Sequence, residues 1–147
     1  MICPCQQLQK NPKDYAQCCQ PYHIGKAASN SEKLMRSRYS AFALGLTDYV
    51  KKSWHTSTCP HDLALEPDSN WLKLDIISSS KSQVHFQAFF KNEDGSFSVL
   101  DETSDFIFEK NHWLYVEGDT DIRPFKPQRN DTCLCGSGKK VKKCCEL

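Results

Sequence analysis

The sequence predicts an α+β protein, two helices packed on a four-stranded antiparallel sheet, with a small metal knuckle at each end. Three observations carry this. Apolar residues recur at helical spacing between residues 29 and 54. The period then changes to two between residues 71 and 117. Eight of the nine cysteines fall in the first 19 and the last 15 residues.

The helices come first. Ser29 and Glu32 have the spacing of a capping box. Leu34, Met35, Tyr39, Phe42 and Leu46 then form an apolar stripe. Gly45 is the expected stop, and Thr47 is the expected cap of a second short helix reaching Trp54. Residues 55–70, with Pro60 and Pro67, read as a loop.

The strands follow. Leu72, Leu74 and Ile76 alternate with polar residues, as do Val84, Phe86, Ala88 and Phe90. Asp94-Gly95 signals a hairpin, followed by a long strand over 96–109 with a bulge expected near Asp101–Ser104, where the apolar parity shifts. Lys110-Asn111 turns into a last strand over His112–Glu117. Helices followed by an antiparallel run of strands give the α+β class. The expected divisions are 1–24, 25–123 and 124–147, the last entered through Pro124 and Pro127.

The formal net charge is +1, so no global field draws the chain to nucleic acid or anionic lipid. No apolar run reaches the ~20 residues that span a bilayer. The N-terminus lacks the basic and apolar regions of a signal peptide, so a reducing cytoplasm is expected.

In that setting the cysteines point to zinc. The C-terminal set reads Cys133-x-Cys135, eight residues, then Cys144-Cys145. Zinc takes four soft ligands at tetrahedral corners. Gly136 and Gly138 permit the reversal between the pairs. Disulfides within C-x-C or between adjacent cysteines would be strained. The N-terminal set, Cys3-x-Cys5 and Cys18-Cys19, repeats the pattern across twelve residues, with His23 able to replace a thiolate. Two ions are expected, and their removal is expected to loosen the ends more than the middle.

Lys139–Lys143 raises the alternative of weak nucleic-acid binding. Arg129 and four lysines against Asp131 and Glu146 make segment 129–147 net +3. A four-thiolate zinc site, about −2, offsets most of that. The lysines are therefore better explained by the metal than by nucleic acid.

These residues carry a resemblance. The block 133–145 resembles the SEC-C motif, the zinc-binding tail also found on the SecA preprotein translocase motor. Together with Tyr15–Cys19, Pro21–His23, Leu34–Phe42, Trp54-His55 and His112–Asp119, it makes the chain similar to the YchJ family of bacterial proteins. That family's first motif usually has a Gly-Ser-Gly turn and eight residues between its cysteine pairs; here the spacer has twelve and no glycine. The resemblance implies a middle domain like the nuclear transport factor 2 cone, a sheet curved around helices. It also implies a zinc-dependent protein-binding role linked to export or quality control.

A cone can enclose a pocket, so a small-molecule binder or an enzyme is the alternative. Its candidate residues are Arg38, Tyr39, Trp54 and His55. No catalytic motif accompanies them, and no catalytic residue is assigned. The cone is also expected to be able to bring the two knuckles into one surface.

Overall fold

The computed structural model describes residues 1–65 and 70–145. Pro67, within the loop expected over 55–70, and Glu146 lie outside the described residues.

The main helix, α2, spans Ser31–Leu44, after the one-turn α1 at Gln20–His23. Its cap is Asn30, not Ser29: the Asn30 side chain accepts from Lys33 N–H at 2.8 Å. Glu32 does not close a capping box but pairs with Arg36 one turn on, at 3.2 Å. Gly45 ends α2 in the left-handed conformation, φ 72°. Helix α3 spans Thr47–Lys52, shorter than expected. Thr47 is its first residue rather than its cap, and its hydroxyl accepts from Leu65 N–H.

Four strands form one antiparallel sheet in the order β1-β2-β3-β4: Trp71–Ser79, Gln83–Lys91, Phe97–Glu109 and His112–Phe125. Gly95 supplies a positive φ in the β2–β3 turn, and Lys110 and Asn111 do so in the β3–β4 turn.

Both faces of the sheet are covered. Phe86, Ala88 and Phe106 join Leu34, Met35 and Tyr39 of α2 in one core cluster, with Leu100 packed against it. Phe89, Phe97 and Val99, of opposite parity, form a second cluster with Cys133, Leu134 and Val141 of the C-terminal segment. The parity change expected to mark a bulge near Asp101–Ser104 has this origin. Pairing of β2 with β3 runs without a break from Gln83↔Asp105 to Lys91↔Phe97. The irregularity lies in β4 instead, where Val116 is the extra residue between the Asp105↔Glu117 and Phe106↔Tyr115 pairs.

Two further differences have simple causes. Leu72 sits at a register shift in β1 and packs with the second cluster, while Leu74 and Ile76 keep to the first. Strand β4 runs eight residues past Glu117, to Phe125; most of that extension is exposed and polar, so it shows no apolar alternation.

Among the described residues, no helix is long and apolar enough to cross a membrane. The capping geometry gives a direct check. Asn30→Ala should lower unfolding stability by about 1 kcal/mol, and Ser29→Ala by less than about 0.5 kcal/mol, in urea titrations.

Candidate metal centres

All nine cysteines are free thiols, and eight of them gather into two four-sulfur clusters. In each, every sulfur lies within 4.8 Å of the others. A tetrahedral site with metal–sulfur bonds of ~2.3 Å needs sulfur–sulfur edges of about 3.8 Å. At the N-terminus Cys3–Cys5 is 3.8 Å, Cys5–Cys18 3.5 Å, Cys5–Cys19 3.7 Å and Cys18–Cys19 3.9 Å. At the C-terminus Cys135–Cys144 is 3.1 Å and Cys144–Cys145 3.9 Å. The N-terminal set matches a tetrahedral cation; the C-terminal four gather within 4.8 Å, with the Cys135–Cys144 edge shorter than the ideal.

The two knuckles are built alike. Cys3 N–H bonds Lys13 C=O, and Cys133 N–H bonds Lys139 C=O. Tyr15 N–H returns to Met1 C=O as Val141 N–H returns to Asp131 C=O. Single bridges Ile2↔Asp14 and Thr132↔Lys140 close the two loops. A 3₁₀ turn then precedes each cysteine pair, at Tyr15–Gln17 and Val141–Lys143. Cys18 and Cys144 share an unusual backbone conformation, φ −124°, ψ −94° and φ −134°, ψ −100°. The longer N-terminal spacer reverses without glycine because Leu8 and Asn11 take the positive φ that Gly136 and Gly138 take at the other end.

Their surroundings differ. Cys3, Cys5 and Cys19 are buried and belong to the first core cluster with Leu34, Met35, Tyr39 and Leu74. The Ser40 hydroxyl of α2 donates to Cys19 Sγ at 3.2 Å and lies 3.5 Å from Cys3 Sγ. Arg36, also on α2, reaches Cys5 C=O. Hydrogen bonds from Cys19 and Cys5 hold the Cys3 thiol far below its usual range, while burial pushes Cys18 up to about 12. One thiolate thus survives by borrowing protons that its neighbours must keep, and only a cation would let all four ionise.

At the other end Cys133 is buried against the sheet, while Cys135 and Cys145 are exposed. The serine of the Gly-Ser-Gly turn, Ser137, donates to Cys144 Sγ at 3.2 Å. Hydrogen bonds from Ser137 and Cys144 lower Cys135 to about 6.

His23 is not arranged as a ligand. Its Nδ1 lies 2.6 Å from Tyr15 Oη and its Nε2 2.8 Å from Ser37 C=O, so Nε2 donates and Nδ1 accepts. The knuckles do not merge into one surface either, because they pack on opposite faces of the sheet. Leu8 links them: its loop passes the β1 edge, where Gln9 donates to Leu74 C=O at 2.7 Å, and reaches the second cluster.

The sheet and α2 line a half-open cavity of about 230 Å³. Arg38, Tyr39 and Trp54 line it. His55 lies outside it, its Nε2 2.8 Å from Glu109 Oε2. Sequence reasoning missed Tyr115 as a cavity residue and placed Glu102 on the wet face of the sheet, whereas both line the cavity. A parallel bridge sets Trp54 beside Tyr115 and their rings meet edge to face at 5.1 Å, a contact that no sequence period signals. Glu102 accepts from Ser104, Tyr115 and Thr120. Its side chain occupies the space that a Cβ on Gly118 would need.

A cone-like α+β domain with a four-cysteine knuckle at each terminus defines the class. Residues 30–118 match the family model for the YchJ middle NTF2-like domain, and residues 129–147 match the SEC-C motif. The chain is 39% identical to a UPF0225 protein of Vibrio parahaemolyticus, with 97% of each chain covered. It is 38% identical to one from Shewanella sp. strain ANA-3, covering 97% of this chain and 94% of that one. The chain therefore belongs to the YchJ (UPF0225) family.

Two solved structures are similar. A crystallised SEC-C motif containing protein from Psychrobacter arcticus has a TM-score of 0.63 and 31% identity, covering 99% of this chain and 96% of that one. A SEC-C motif containing protein from Rhodopseudomonas palustris, solved in solution, has a TM-score of 0.68 and 30% identity, covering 81% and 98%.

The burial difference separates the two ends, both of which were expected to loosen more than the middle. Cys19→Ser should lower global unfolding stability by at least about 2 kcal/mol, since it leaves a defective site inside the core. Cys145→Ser should leave the main urea transition within about 0.5 kcal/mol of the parent.

Proposed function

We propose that the chain is a two-zinc cytoplasmic adaptor. In this reading the N-terminal zinc is structural and the C-terminal zinc organises a docking surface for a protein partner in export or quality control. Cys3, Cys5, Cys18 and Cys19 hold the first ion, and Cys133, Cys135, Cys144 and Cys145 the second. All-thiolate tetrahedral sets favour zinc and leave no open position for a substrate, which suits structure and recognition rather than metal catalysis. The knuckles, 1–24 and 124–147, then flank a cone of 25–123.

One observation carries the docking reading. The C-terminal centre has a fixed back and a free front. Cys133, Leu134 and Val141 are buried against Phe89, Phe97 and Val99, while Cys135, Cys145, Lys139, Lys140 and Lys143 are exposed. A rigid, half-buried knuckle presenting lysines is pre-organised for an anionic patch on a partner. Eight reduced thiols fit a reducing compartment.

Affinity capture with the zinc-loaded chain tests the reading. Partners held by the parent should fall at least about tenfold for Cys144→Ser/Cys145→Ser and for Lys139→Glu/Lys143→Glu, but not for Cys59→Ser. Recovery of the same partners by all three variants would overturn the docking role. Loss of capture after nuclease treatment alone would point to nucleic acid instead.

A further inference from the structure

Arg38 is the least expected residue in the cone. It is 5% exposed and lies in the wall of an otherwise largely apolar cavity. Its Nη1 donates to Val50 C=O at 2.9 Å and to Ser53 Oγ at 2.7 Å, tying α2 to the end of α3. The guanidinium carbon stands 4.4 Å from the Tyr115 ring centroid and 4.9 Å from that of Trp54. Neither Nε nor Nη2 makes a hydrogen bond, and no carboxylate lies within ion-pair distance, among the described residues. A buried cation without a direct ion pair is expensive. Burial already draws it down to about 10.

Glu102 shares the cavity but does not neutralise Arg38. Its carboxylate is taken up by three hydroxyls, from Ser104, Tyr115 and Thr120. The remaining wall is apolar and largely aromatic, including Phe42, Trp71, Phe86 and Phe106. A volume of about 230 Å³ holds roughly eight water-sized groups. The space therefore offers two donors on one planar edge that no carboxylate meets directly, and an apolar chamber for one ring.

We propose that the cavity binds a small monocarboxylate with an aromatic or branched apolar body, its two oxygens on the Nε–Nη2 edge of Arg38. The fork geometry of guanidinium and carboxylate makes this pairing bidentate, which a neutral amide cannot reproduce. The body of the ligand replaces water against Trp71 and Phe86. The site uses none of the eight clustered cysteines, so it is independent of the docking role.

Phenylacetate and phenylacetamide, titrated into the full zinc-loaded chain, separate charge recognition from mere filling. Trp54 and Trp71 line the cavity, so tryptophan fluorescence reports occupancy. Phenylacetate should bind at least tenfold tighter than the amide. Glu102→Gln should tighten phenylacetate further, by removing a like charge, and leave the amide unchanged. Arg38→Met should abolish the preference; because Arg38 also ties two helices together, the parent's own carboxylate-to-amide ratio decides if that variant does not fold. Equal affinities for the two probes, no binding of phenylacetate up to millimolar concentration, or weaker phenylacetate binding in Glu102→Gln would each overturn the proposal.

Discussion

Four thiols within 4.8 Å of one another, three of them buried in the hydrophobic core, set the terms for the rest of this molecule. Sulfurs at that spacing cannot all ionise without a cation, and they cannot all stay neutral without sharing protons unevenly. The N-terminal cluster is nevertheless placed against Leu34, Met35, Tyr39 and Leu74, and α2 supplies Ser40 and Arg36 to it. The main helix is thus held between the sheet and a metal-shaped knot. The first nineteen residues are less an appendage than part of the core.

The opposite face solves the same problem differently. A lone antiparallel sheet would leave Phe89, Phe97 and Val99 wet; the C-terminal knuckle covers them with Leu134, Val141 and the back of Cys133. The two knuckles share a hydrogen-bonding plan but not a role. One buries three of its four cysteines, and the other exposes two of its four. The same local fold can therefore serve as a core element at one end and a surface at the other.

Much of this was legible in the sequence. The cysteine spacing named all eight sulfurs, and Gly136 and Gly138 marked the C-terminal reversal. Leu34, Met35 and Tyr39 marked the buried side of α2, and the alternation in Val84–Ala88 marked a strand. What was not legible has physical causes. Leu8 and Asn11 adopt positive φ without glycine, which no local rule announces. Apolar residues of both parities in β3 look like a bulge when in fact both faces are covered. The polar extension of β4 follows from pairing with β3 and has no apolar signature. Trp54-His55 reads as one motif, yet Trp54 lines the cavity and His55 pairs outside it with Glu109.

The central claim is that each end of the chain holds one metal ion through sulfur alone. X-ray absorption at the zinc edge on the purified chain tests it directly. The account predicts two zinc ions per chain, each with four sulfur neighbours at ~2.3 Å and no imidazole contribution. A nitrogen shell, or fewer than two zinc ions per chain after purification without chelator, would contradict it.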